Sequence, residues 1–108
     1  MKTQLTKMKC KACKGEEDKL SKKEVKSYLK FLDGWYIFNN HHIEKTYKFK
    51  NFLQSLSFVN KIGKLAEKEG HHPNIDFTWG QATIKLWTHK VHGLSINDFI
   101  LAAKIDKL

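Results

Sequence analysis

The chain lacks arginine altogether, since all twenty of the residues counted as Lys or Arg are lysines. Sequence-specific DNA readers and phosphate-binding sites rely on the planar arginine guanidinium, whose paired hydrogen bonds a lysine ammonium cannot make. The net charge is +9, and residues 1–30 carry ten lysines against four acidic residues. Because a lysine-rich surface is more often solvated than bound to nucleic acid, nucleic-acid binding is the least favoured function.

Long apolar runs are also missing, because lysine or another polar residue interrupts every hydrophobic stretch. This pattern excludes a membrane-spanning segment and predicts a protein without a membrane partner. Residues 1–9 contain lysines but not the apolar segment of a secretory signal, so we expect a cytoplasmic protein. The 108 residues, 41% of them hydrophobic, are typical of a single folded domain.

Cysteine is scarce as well, and the two cysteines, Cys10 and Cys13, cannot form the framework of a disulfide-stapled fold. Their spacing matches half of a zinc site, but a closed site needs four ligands and no second pair exists. Two reduced thiols are therefore favoured, with a zinc ion shared across a dimer as the alternative. We expect residues 1–19 to form a flexible lysine-rich arm and residues 20–108 to form the folded domain.

Helix caps and alternating apolar residues predict the elements of this domain. Alternation of apolar and polar residues predicts two β-hairpins, over residues 35–49 and 75–87. Three helices are predicted to begin at capping residues, which are Ser21 with Glu24, Asn51, and Ser95 with Asp98. The order α-β-β-α-β-β-α predicts an α+β fold, with a four-stranded antiparallel sheet and helices packed on one face.

Three histidines stand where the predicted elements end. His71 and His72 follow the second helix, His89 ends the last strand, and Asp98 lies in the first turn of the last helix. Such ends can converge on one pocket, where imidazoles could transfer protons near neutral pH without a metal. Polar loop histidines and a three-histidine metal site are the alternatives. Adjacent histidines rarely point the same way, which disfavours the metal site.

Over residues 20–108 the chain resembles the pterin-4a-carbinolamine dehydratases. The family signature is an acidic residue, His-His-Pro, a spaced aromatic, Thr-His and a downstream Asp. In this chain its members stand in order at Glu67, His71 to Pro73, Trp79, Thr88 with His89, and Asp98. The resemblance implies the same α+β fold, assembled as a homodimer or a homotetramer, with no metal or organic cofactor.

The activity that the resemblance implies is removal of water from a 4a-hydroxytetrahydropterin, which gives the quinonoid dihydropterin. That substrate is a small-molecule product of pterin-dependent aromatic amino acid hydroxylation, so the expected role is recycling of a tetrahydrobiopterin-type cofactor. The alternative is a pterin-binding or protein-interaction module on the same fold, without significant catalysis.

The resemblance also implies which residues form the site. We expect His71 and His89 to exchange protons with the leaving oxygen, His72 to bind and orient the pterin, and Asp98 to orient His89. Glu67 is expected to hold the amino-pyrimidine edge of the pterin or to orient a pocket histidine. The complete set of expected site residues is, for catalysis, His71, His72, His89 and Asp98, and, for substrate binding, Glu67, Trp35, Thr88 and Pro73.

Overall fold

A computed structural model describes residues 2–108, with side chains described from residue 4 onward. Short 3₁₀ turns cover Glu16–Asp18 and His89–Val91. None of the helices in this described range is long and apolar enough to cross a membrane. The helices and strands of residues 2–108 are, in chain order, α1 (Lys2–Lys7), α2 (Lys22–Leu29), β1 (Tyr36–Phe38), β2 (His42–Lys48), α3 (Phe52–Glu69), β3 (Asn74–Thr78), β4 (Gln81–Leu86) and α4 (Ile96–Ile105).

The four strands form one antiparallel sheet in the order β1-β2-β4-β3. Its centre is the pairing of β2 with β4, where Ile43 lies opposite Leu86. Alternate residues of β4, among them Ile84 and Leu86, are fully buried against the helices, whereas the residues between them are partly exposed. The predicted α+β class and the helix-covered sheet face are therefore confirmed.

The predicted caps are present at the helix ends. Ser21 and Glu24 form a capping box at the start of α2, and the Asn51 side chain accepts the Gln54 amide at the start of α3. Gly70 ends α3 with a left-handed φ of 68°, a conformation that glycine adopts without steric cost. This turn redirects the chain so that His71 faces the start of α4.

Part of the arm predicted over residues 1–19 packs on the domain, since α1 lies against α4 and the Cys10 and Lys11 amides bond to Glu69 and Asn97. Leu5, on α1, is 3% exposed and belongs to the hydrophobic core, and α1 packs against α4. The physical reason lies in α4, which is apolar around most of its circumference and therefore needs a cover on the side away from the sheet. The prediction of a solvated arm considered the polar composition of residues 1–19 and missed the uncovered side of α4.

Candidate functional site

Four segments of the chain surround a cavity of about 680 Å³. They are residues 10–13 near the N-terminus, the loop 69–74 after α3, residues 87–90 after β4, and Asn97 on α4. Five of the predicted site residues line this cavity, namely His71, His72, Pro73, Thr88 and His89. The ends of separate elements therefore meet at one cavity in the structure.

A short hydrogen bond at the cavity wall joins His71 to the buried Asp98. The distance from His71 Nε2 to Asp98 Oδ1 is 2.6 Å, the Asp98 side chain is fully buried, and the His71 side chain is 13% exposed. Asp98 is held in turn by the Ser95 amide at 3.0 Å and by the Thr88 hydroxyl at 2.9 Å. A buried carboxylate with three donors is fixed in place, so it fixes the orientation of the His71 ring.

The contact with Asp98 occupies one of the two ring nitrogens of His71 and leaves the other without a hydrogen-bond partner among the described residues. With Asp98 ionised, Nε2 carries a proton and donates it, which leaves Nδ1 as the nitrogen that exchanges protons. Nδ1 has no polar protein partner within residues 2–108. Asp98 also balances the positive charge that the ring carries when both nitrogens are protonated. His71 is therefore arranged for acid–base work.

The structure corrects the predicted partner of Asp98, which is His71 and not His89. In the sequence, Thr88 and His89 are adjacent, and consecutive residues of an extended segment point to opposite sides. Thr88 points inward to Asp98, so His89 points outward, where it is exposed and its ring lies 5.1 Å from the Trp87 ring. The His89 carbonyl accepts the His92 amide at 3.1 Å, but the His89 imidazole has no hydrogen-bond partner within the described residues.

His72 contacts Glu67 at the rim of the cavity. The distance from His72 Nε2 to Glu67 Oε1 is 2.8 Å, and the two side chains are 60% and 81% exposed. Solvent screens such a pair, whose contribution to stability is about 0–1 kcal/mol. Glu67 does not line the cavity. Its contact therefore favours the predicted role of orienting a pocket histidine, here His72, over direct hydrogen bonding to the pterin.

Trp35 is a core residue and does not form a wall of the cavity, contrary to the prediction. It is 4% exposed, and its indole nitrogen donates to Asp106 at 3.1 Å. Asp106 also accepts from the Lys45 ammonium at 2.8 Å and from the Tyr47 hydroxyl. Burial and the neighbouring carboxylate raise the pKa of Tyr47. The aromatic wall of the cavity is instead Trp87.

The predicted substrate-binding role of Thr88 also changes. Thr88 lines the cavity but is buried, and its hydroxyl lies 2.8 Å from the Ser95 hydroxyl and 2.9 Å from Asp98. Because its one proton is directed to Asp98, it acts on His71 through that carboxylate and is not a free donor to a ligand. Pro73 lines the cavity as expected.

Sequence reasoning missed the wall that residues 10–13 contribute. The Cys10 amide donates to Glu69 Oε1 at 3.0 Å, and Lys104 donates to Glu69 Oε2 at 2.8 Å. Burial alone would raise the pKa of Glu69, but the Lys104 ammonium and the Cys10 amide lower it overall. Glu69 and Lys104 lie 35 residues apart, and no local spacing signals their contact.

Cys10 is a poor nucleophile in this setting. Burial, followed by the Glu69 charge, raises the pKa of its thiol from 9.0 to about 12. The thiol therefore stays protonated at neutral pH. Within residues 2–108 no group of three or more His, Cys, Asp or Glu side chains is placed to hold a metal ion, the three cavity histidines included.

We expect iodoacetamide to alkylate Cys10 at pH 8 about 10³-fold more slowly in the folded protein than in urea, because three pKa units lower the thiolate fraction by that factor. The rates are measured by mass spectrometry in a Cys13→Ser background. Glutathione in the same two buffers corrects for the effect of urea on the reagent. Equal corrected rates in the two states would show that Cys10 is not shielded.

The α+β fold thus places a histidine–carboxylate pair beside an open cavity, an arrangement that can support acid–base chemistry on a small molecule. Residues 18–108 match the family described as pterin 4 alpha carbinolamine dehydratase. The chain belongs to this family.

Individual relatives agree with the family match. A candidate pterin-4-alpha-carbinolamine dehydratase of Alkaliphilus metalliredigens is 49% identical over 104 residues, which cover 95% of this chain and 94% of the relative. A second candidate dehydratase, of Rubrobacter xylanophilus, is 42% identical over 106 residues. These residues cover 98% of this chain and 99% of the relative. Among solved structures, a transcriptional coactivator/pterin dehydratase of Brucella melitensis superposes with a TM-score of 0.78 at 29% identity, covering 82% of this chain and 96% of its own.

Proposed function

We propose that the protein dehydrates a 4a-hydroxytetrahydropterin to the quinonoid dihydropterin and water by histidine acid–base catalysis without a metal, in the recycling of a reduced pterin cofactor. The observation that carries the proposal is the 2.6 Å contact between His71 and the buried Asp98, at the wall of a cavity that His72 and His89 also line. The family membership supports the same substrate.

The reaction needs one proton donor and one proton acceptor. The lone pair of the pterin N5 atom forms the new double bond to C4a as the C4a–oxygen bond breaks. Hydroxide leaves poorly unless it receives a proton, so an acid converts it to water, and a base removes the N5 proton from the cationic imine. One proton enters and one leaves, so the protein returns to its starting protonation state after exchange with solvent.

His71 and His89 supply these two groups in the proposal. His71 protonates the leaving oxygen, because Asp98 balances the charge of its doubly protonated ring. His89 is exposed and its imidazole has no hydrogen-bond partner within the described residues, so the ring is free to take the N5 proton. His72, which Glu67 orients, binds the pterin.

The cavity fits a flat heterocycle of this kind. Its volume of about 680 Å³ lies in the range typical of small-molecule sites, roughly 300–1,000 Å³. Trp87 offers an aromatic wall against which a pterin ring can stack, and its ring is close to that of His89. A stacked pterin would therefore lie next to a proton-transferring imidazole.

The test is the decay of a 4a-hydroxytetrahydropterin, generated in situ and followed by stopped-flow absorbance. We expect the wild-type protein to accelerate the decay equally before and after treatment with a chelator. His89→Ala should lose about 10²-fold in rate, the usual contribution of one acid or base. The matched control is His92→Asn, an exposed histidine outside the cavity with a left-handed backbone that Asn tolerates.

Two results would overturn the proposal. If the wild-type protein binds the pterin but does not accelerate its decay, the protein is a pterin-binding module. If chelation abolishes the acceleration and added metal restores it, the reaction depends on a metal and the histidines have another task.

A further inference from the structure

Two lysines give the cavity a positive charge that no carboxylate of the described residues balances. Lys11 and Lys90 line the cavity. Within residues 2–108 the lysine ion pairs are those of Lys45 and Lys104, so neither cavity lysine takes part in one. Their ammonium groups are available to a ligand.

The acidic residue of the cavity lining does not cancel this charge. Glu69 uses one carboxylate oxygen for the Cys10 amide, at 3.0 Å, and the other for the Lys104 ammonium, at 2.8 Å. Its charge is therefore already balanced by a lysine behind the wall. The described lining residues therefore offer an anion two exposed lysines without an ion pair and no free carboxylate.

Both lysines extend from backbone that the fold holds in place. The amide and carbonyl groups of Lys11 are both bonded to the Asn97 side chain, at 3.1 and 2.5 Å. Lys90 lies inside the 3₁₀ turn His89–Val91, which is closed by a bond from the Val91 amide to the Thr88 carbonyl at 3.1 Å. Binding an anion at this position orders only the two side chains, which lowers its entropic cost.

We propose that the cavity selects pterins whose C6 substituent is anionic, carrying a carboxylate or a phosphate monoester. The inference rests on the proposed function, which places the pterin ring beside His71 and His89. The ring itself is uncharged and does not require a cation, so the two ammonium groups are complementary to the substituent. Carboxylates and phosphates share this chemistry, and lysine binds both as a point charge.

The test is equilibrium binding of three stable probes that share the pterin ring. They are 6-hydroxymethylpterin, which is neutral, its phosphate monoester, and 6-carboxypterin, each titrated by calorimetry at pH 7.5 and 50 mM NaCl. We expect at least one anionic probe to bind about tenfold tighter than the neutral one, and the advantage to shrink at 500 mM NaCl as the charges are screened.

Substitution of the cavity lysines tests whether they cause the preference for anionic probes. The double variant Lys11→Gln, Lys90→Gln should lose most of the advantage of the anionic probe. Its matched control, Lys26→Gln, Lys64→Gln, removes the same charge from exposed positions outside the cavity and should keep the advantage. The probe that benefits more identifies carboxylate or phosphate as the preferred group.

Equal affinity for the neutral and anionic probes would overturn the inference, as would a loss of preference of the same size in both double variants. These outcomes are separate from failure of the proposed function, because binding is measured without turnover. A preference for anions in a protein that does not accelerate pterin dehydration would support the anion selectivity and reject the enzymatic reaction. Absence of binding by all three probes would reject the anion selectivity, whereas the enzymatic reaction would still be decided by the stopped-flow rate.

Discussion

Replacing His71 with alanine is expected to lower the rate constant of 4a-hydroxytetrahydropterin dehydration by about 10²–10⁴-fold, which is the usual contribution of a positioned acid or base. The reason is that His71 is the cavity imidazole held by a buried carboxylate, at 2.6 Å from Asp98. The measurement is the stopped-flow decay of the pterin at saturating substrate. Folding is followed by circular dichroism and thermal unfolding.

Alanine also leaves the buried Asp98 carboxylate without one of its donors, which costs about 1–3 kcal/mol of unfolding free energy. His71→Gln separates the two effects, because a glutamine amide can donate to Asp98 but cannot transfer protons at neutral pH. We expect the glutamine variant to lose as much activity as alanine and less stability. A glutamine variant with the wild-type rate would contradict the acid–base role of His71.

Replacing Asp98 with asparagine is expected to lower kcat by about 10²–10³-fold while KM changes little, since a misplaced imidazole tautomer impairs acid–base catalysis. Asp98 is a positioning residue, fully buried behind His71 and absent from the cavity lining. The asparagine amide would present N–H to His71 Nε2, so the ring would move its proton to Nδ1, the nitrogen proposed to work on the substrate. The kcat and KM values of the variant and the wild type check this split.

The matched control for Asp98→Asn is Asp106→Asn. Asp106 is also a buried carboxylate, with Trp35, Lys45 and Tyr47 as its donors, but it lies outside the cavity. Each substitution removes charge-assisted hydrogen bonds and should cost about 1.5–3 kcal/mol of unfolding free energy. Asp106→Asn should keep the wild-type kcat. Equal loss of kcat in both variants would show that activity follows stability and not the orientation of His71.

Local signals predicted the parts of the site that depend on neighbouring residues. The capping box of Ser95 and Asp98 places a carboxylate in the first turn of α4, and Gly70 ends α3 directly before His71. These features follow from backbone hydrogen bonds over three or four residues. The order of elements and the helix-covered sheet follow from apolar periodicity in the same way.

Contacts between distant segments were not predictable from such signals. Whether Asp98 faces His71 or His89 depends on which side of the chain points inward after β4, and the sequence permits both. Trp35 was expected at the cavity from the family resemblance, and its actual partner, Asp106, lies 71 residues away, where no local spacing signals the contact. The packing of α1 depends on the side of α4 that the sheet does not cover, which becomes clear only once the layers are assembled.

The cavity wall of residues 10–13 lies outside the family match, which begins at residue 18. Asn97 binds this wall, and the next residue, Asp98, binds the histidine proposed for proton transfer. Substitutions in the wall can therefore alter which molecules enter without altering the reacting groups. The peptide bond between Asn97 and Asp98 in α4 therefore joins the residue that holds this wall to the residue that holds His71.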